Sequence, residues 1–194
     1  MQAQDTDLRS RLVAVGVDLV GREGMQALSL REIARQAGVS HGAPRRYFPT
    51  HVALLSAIAR EGFAQLSVKV AEAVGDGRAG PRAQLVALGR TYLDFALSHR
   101  GMFELMFRHD LLETNSLGLR EVSLPLFDVL VDLVTRMGPQ SDMAPRVVAG
   151  ALWANLYGIA QLWRWRSLQL AAGVDDAEPL LRAALDAHLG PESR

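Results

Sequence analysis

Apolar residues recur along almost the whole chain at steps of three and four, and no stretch alternates apolar with polar long enough to make a strand. That single periodicity confines the fold class to all-α. Leu8, Leu12, Val15 and Leu19 step along one face of a first helix expected over 7–23, with Gly24 as its stop. Ser29 and Glu32 have capping-box spacing and open a short helix ending at Gly38. Ser40 is placed to cap a second short helix reaching Phe48, and Thr50 a longer one over 50–74. The cluster Gly75–Asp76–Gly77–Arg78–Ala79–Gly80–Pro81 is the strongest turn signal, and Pro81 suits the first position of a new helix. Further helices are expected from Pro81 to about Ser98, through 102–107, over 117–137 with Pro125 as a kink or break, after Ser141 and Pro145 to about Ser167, and from about Asp175 to Leu189. About nine helices result.

Composition narrows the function classes. The 194 residues carry 21 basic and 21 acidic side chains, so neither a wholly basic nucleic-acid coat nor an acidic tail is present. An apolar content of 49% is enough to bury a core. Zero cysteines exclude disulfides, thiolate zinc sites and cysteine nucleophiles together. Seven charged residues between Asp5 and Glu23 occupy the place of a signal-peptide apolar region, so a cytoplasmic protein is expected. The 17 uncharged residues from Val147 to Trp163 contain Asn155, Tyr157, Gly158 and Gln161 and read as a mostly buried helix rather than a membrane span.

The segment 29–48 has the mechanics of a helix-turn-helix. Two short helices that cross closely need a small residue at the contact, Ala34, and a turn residue that tolerates a left-handed backbone, Gly38. Ile33, Ala37, Val39 and Pro44 are spaced to close the small core between them. Ser40, His41, Gly42, Ala43, Arg45, Arg46 and Tyr47 then lie on the outer surface of the second helix, small at its start and basic at its end, as close approach to a major groove requires. A plain helical hairpin satisfies the same spacing, but the charge is partitioned. Residues 1–60 hold eight arginines against five acids, a net +3, and residues 61–194 hold 13 basic against 16 acidic residues, a net −3. The basic excess thus lies on the unit that would face phosphate.

With Leu-Arg-Glu-Ile-Ala-Arg-Gln-Ala-Gly-Val-Ser at 30–40 and Arg-Tyr-Phe-Pro-Thr-His at 46–51, residues 8–65 resemble the tetracycline-repressor-like (TetR) family of bacterial transcriptional regulators. The family pattern carries tyrosine where Arg45 stands, and a lysine, often on a phosphate, where His51 stands. The resemblance implies a DNA-binding domain over 1–51, with Arg31 and His51 completing the DNA-facing set, and a ligand-binding and dimerisation domain over 52–194. Residues 92–107 and Trp153-Ala-Asn-Leu-Tyr157-Gly158 are similar to the WHG type of TetR ligand domain, with Tyr157 in place of the motif's histidine. The family implies a homodimer through the last two long helices, a double-stranded DNA operator and a small-molecule effector, with no cofactor and no membrane partner.

Tyr92, Phe95, Met102, Phe103, Met106 and Phe107 supply adaptable side chains for an apolar effector, or an ordinary core. Trp153, Asn155, Tyr157 and Gln161 are candidates for the same pocket or for the dimer interface, and Trp163 and Trp165 for either. His99 and His109 have no second metal ligand at helical spacing. No nucleophile elbow, phosphate loop or paired-carboxylate motif appears, so the chain is read as a regulator rather than an enzyme. The rival from another class is a helical ligand carrier that keeps the hairpin without using it on DNA.

Overall fold

The computed structural model describes residues 2–138 and 142–191, with side chains from Asp7 onward; Ser141, expected before the eighth helix, lies outside them. Every element is helical among these residues: α1 (Gln2–Glu23), α2 (Leu30–Gln36), α3 (His51–Val74), α4 (Pro81–Ser98), α5 (Arg100–Met106), α6 (His109–Thr114), α7 (Arg120–Met137), α8 (Pro145–Arg164), α9 (Ser167–Ala172) and α10 (Glu178–Leu189), plus 3-10 turns at Met25–Ala27 and Ala43–Arg46. Among the described residues no helix is long and apolar enough to cross a membrane. The chain divides into two compact units, residues 1–65 with 99–124, and residues 66–98 with 125–194, so the boundaries fall inside α3 and at Pro125 of α7.

In the first unit, α1 buries Leu12, Leu19 and Val20 on the face its spacing marks out. Gly16 lets α3 come close, since a Cβ there would stand 2.4 Å from Ile58 Cδ1. Gly101 at the start of α5 does the same at the other end of α1, where a Cβ would meet the Val20 carbonyl oxygen at 2.5 Å. Gly24 takes φ 82 and its N–H returns to the Val20 carbonyl at 3.1 Å, which closes α1 as expected. The fully buried Leu12, Leu19, Ile33, Leu54, Leu55 and Ile58 tie α1, α2 and α3 into one core, each worth roughly 1.5–3 kcal/mol of transfer free energy. The loop between α6 and α7 holds Asn115 and Leu117 at φ 48 and 56. Arg60 on α3 fastens it by donating to the carbonyls of Leu117 and Gly118 at 2.7 and 2.5 Å.

The second unit is built on α4, α8 and α10. Leu85, Leu88 and Phe95 of α4 meet Leu152, Leu156 and Ala160 of α8 and Leu181 and Leu185 of α10 in a buried core. Gly89 admits Leu181, whose Cδ1 stands 2.5 Å from where a Cβ would be. Buried Gln84 donates to the Val74 carbonyl at 3.0 Å, satisfying an orphan acceptor at the end of α3. Arg82 holds Asp186 and the Gly190 carbonyl, and Arg90 grips Glu178. That grip, helped by Arg182, keeps the Glu178 carboxyl below its usual range.

Several boundaries differ from the sequence reading. Ten α-helices stand among the described residues rather than about nine: α9 forms where the chain turns back through left-handed Arg166 and α6 stands apart from α5, while the short helix expected from Ser40 to Phe48 is not an α-helix. α1 begins at Gln2 rather than Asp7. α7 passes through Pro125 without ending, since a proline in its second turn removes one hydrogen bond only. The capping box is half formed: Ser29 Oγ accepts from the Glu32 N–H at 3.1 Å, but the Glu32 carboxylate turns to Arg35 and Gln36.

Candidate nucleic-acid interface

The expected turn is present. α2 ends with the Gly38 N–H bonded to the Arg35 carbonyl, and Gly38 adopts φ 66, the left-handed conformation its position demands. The Val39 N–H bonds to the Ala34 carbonyl at 3.0 Å, and Ile33, Ala34 and Pro44 are buried between the two arms. The second arm departs from expectation. Instead of an α-helix from Ser40 to Phe48, the chain makes a turn closed by Ala43 N–H to Ser40 O, then a four-residue 3-10 segment over Ala43–Arg46. Gly42 has the poorest helix propensity short of proline, and Pro44 has no N–H to extend a ladder. Ser40 therefore caps nothing with its side chain; Gly42 stands at the cap. Thr50 caps α3 as expected, accepting from the Ala53 N–H at 3.1 Å.

Ser40, His41, Gly42, Arg45 and Arg46 are all exposed, Ala43 and Tyr47 are half-buried, and Arg31 is exposed on α2. Of the five arginines between residues 22 and 46, two are paired with acids and three are not. Arg22 is held by Asp18 at 2.7 Å, and Arg35 by Glu32 at 2.5 Å. Arg35, followed by Gln36, holds the Glu32 carboxyl down to about 2. Arg31, Arg45 and Arg46 have no acidic partner among the described residues. Their charge is not neutralised within the unit. Arg9, absent from the sequence-derived set, lies over the ring of buried Phe48 at 5.4 Å, a cation–π contact that seats α1 on the end of the recognition segment.

His51 is exposed, and its Nε2 lies 2.9 Å from the Leu28 carbonyl, an acceptor, so Nε2 carries a proton and donates it. In the neutral ring Nδ1 is then an acceptor, which has nothing to offer a phosphate oxygen. A lysine in this position would carry a fixed charge.

The ten side chains of the effector set fall in both units. Met102, Phe103 and Met106 are buried in the first, packed where Gly62 gives them room; a Cβ on Gly62 would stand 2.6 Å from Met102 Sδ. Phe107 packs against Phe103 with ring centroids 4.8 Å apart and planes tilted by 59°, and meets Phe63 edge-on at 5.6 Å. In the second unit Phe95 and Tyr92 are buried, and Trp153 Nε1 donates to Tyr92 Oη at 3.1 Å. Burial pushes the Tyr92 hydroxyl well above its ordinary range, so it stays protonated. Phe127, which carried no sequence signal, packs at a tilt against Trp153 at 5.9 Å and lies under Arg146 at 5.2 Å. Asn155 is exposed and bonds the Ala151 carbonyl and His188 Nε2, while Tyr157 and Gln161 are half-buried. Two open clefts of this unit have other linings, one of about 400 Å³ beside Trp163 and Glu178, one of about 460 Å³ beside Met143 and His188. In the first unit an open cleft of about 670 Å³ runs along Val13, Val17, Ala57 and Ala64. His109 lies 3.4 Å from Glu113, and no group of three metal-binding side chains occurs among the described residues.

An all-helical chain with a tight basic turn between α2 and α3 defines a helix-turn-helix protein. Residues 12–58 match the model of bacterial regulatory proteins of the tetR family, and residues 85–188 match the tetracyclin repressor-like C-terminal domain. A protein of unknown function from Rhodococcus sp. RHA1 is 30% identical, with 93% of this chain and 92% of that one covered and a TM-score of 0.76. A TetR transcriptional regulator from Streptomyces coelicolor is 29% identical, with 95% and 99% covered and a TM-score of 0.53. The multidrug binding protein EbrR, complexed with imidazole, is 24% identical, with 95% and 92% covered and a TM-score of 0.59. No curated protein matches the sequence. The chain belongs to the TetR family of transcriptional regulators.

Proposed function

We propose that the chain is a ligand-responsive cytoplasmic repressor that binds a near-palindromic operator as a homodimer. The observation that carries the reading is the set of exposed arginines without internal acid partners, Arg31, Arg45 and Arg46, gathered beside a recognition segment that begins with small residues. Uncompensated cations of this kind gain by meeting phosphate, because each contact releases condensed counterions. Residues 1–51 read the DNA, with Ser40, His41, Gly42, Ala43 and Tyr47 approaching base edges and the arginines the backbone. Residues 52–194 bind the effector and the second copy. Two-fold symmetry then sets the recognition segments about 34 Å apart, one turn of duplex.

A small apolar effector, taken up among the aromatic and methionine side chains, favours a conformation with the wrong spacing, by a coupling of typically 1–3 kcal/mol per site. That a protein of the same fold, EbrR, is a multidrug binding protein is consistent with this part of the reading. The test is fluorescence anisotropy with the DNA upstream of the protein's own gene. Arg45→Ala with Arg46→Ala is expected to weaken the complex at least tenfold. Unchanged affinity would mean that DNA binds elsewhere or not at all, as the ligand-carrier alternative requires.

A further inference from the structure

The side of α8 that faces away from its core carries Val147, Ala151, Ala154, Gly158 and Leu162, and Trp165 just past its end continues the row, spaced by four, three, four, four and three. None of these is charged. Val147 is 52% exposed and Trp165 67%, and nothing stands within 4 Å of where a Cβ on Gly158 would be. Beyond the last turn of α8, left-handed Arg166 folds the chain back, and Gln169 bonds the Trp163 carbonyl at 3.2 Å. This fixes α9 at the end of α8 with Leu170 89% exposed, the most exposed of the large apolar side chains. Solvent exposure of a Trp and a Leu at that level, rimmed by arginine, is the composition of an interface anchor.

We infer that the dimer interface does not stop at the last two long helices but continues onto α9, with Trp165 and Leu170 as apolar anchors against a second copy of this chain. The inference rests on the homodimer reading above. Area supports it. α8 has 20 residues and α10 has 12, so their outward faces, at 1.5 Å rise and about 10 Å width, offer roughly 500 Å² per protomer. A stable interface covers roughly 800 Å² per partner. Trp165 alone brings on the order of 150 Å², and Leu162 and Leu170 add to it on a surface continuous with the α8 face.

The chain holds no cysteine, so Leu170→Cys introduces a single thiol. Sedimentation velocity of wild type, Ala154→Arg and Trp165→Ser/Leu170→Ser is paired with maleimide labelling of the Leu170→Cys protein, with helix content checked by circular dichroism. The inference expects a wild-type dimer, a dissociation constant at least tenfold higher in the double variant, and labelling several-fold slower at dimeric concentrations than after dilution. A wild-type dimer that Ala154→Arg breaks, while the double variant dimerises normally and the thiol labels at full rate, overturns the extension and leaves the dimer reading standing. A monomeric wild type overturns the dimer reading itself. Protection of the thiol only by phosphatidylserine vesicles makes the patch a lipid contact and overturns the inference.

Discussion

His51 illustrates how one side chain divides its hydrogen-bonding capacity. Its Nε2–H is used on the Leu28 carbonyl, which leaves a neutral ring with no donor for DNA. His51→Lys should therefore tighten operator binding and steepen the salt dependence by about one unit of slope; anisotropy titrations at several salt concentrations measure both. Packing gives sharper contrasts. Gly101→Ala drives a methyl against the Val20 backbone carbonyl, which cannot rotate away, and should lower stability by about 2 kcal/mol or more in urea denaturation. Ser56 is fully buried with no partner for its hydroxyl among the described residues, so Ser56→Ala should leave stability unchanged or raise it by up to about 1 kcal/mol. Glu32 titrates in the folded state at about 2 against an ordinary 4.5, because Arg35 and then Gln36 hold its charged form. A lowered carboxylate pKa stabilises the fold above the ordinary value and loses that effect as pH falls through the lower one. Acid unfolding of Glu32→Gln should thus lack the part of the wild-type stability loss that lies between pH 4.5 and about 2.

At the scale of elements, what was legible in the sequence was what is local. The steps of Leu12 and Leu19, the stop at Gly24, the cap at Thr50 and the left-handed Gly38 depend on a few neighbouring residues, and each forms as its spacing implies. The second arm of the helix-turn-helix differs from its apolar spacing because the backbone chemistry of Gly42 and Pro44 shortens it to a 3-10 segment. The contacts that fasten elements together were not legible. Arg60 reaches carbonyls 57 and 58 positions away, and backbone acceptors leave no trace in a residue pattern. Arg60→Ala should release the loop at Leu117 and cost about 1–2 kcal/mol, as loss of charge-assisted hydrogen bonds at a half-exposed site does. Hydrogen exchange of 115–120 should accelerate in that variant, and unchanged protection there would mean that the loop is held by other contacts.

For the whole molecule, neutrality is a cancellation between a +3 stretch and a −3 stretch of sequence. On the homodimer reading proposed above, two copies double that basic stretch, and the acidic remainder opposes indiscriminate coating of DNA. The chain's membership of the TetR family supplies the fold and the regulator class, and the unpaired arginines supply the specific claim that this surface meets phosphate. The measurement that bears on it most directly is the dependence of operator affinity on salt, with DNA from upstream of the gene. Arg31, Arg45 and Arg46 in two copies predict a log–log slope of roughly −5 for wild type, reduced by about 3 to 4 in the Arg45→Ala/Arg46→Ala protein. A wild-type slope near zero, or a slope that the double substitution leaves unchanged, would contradict the account.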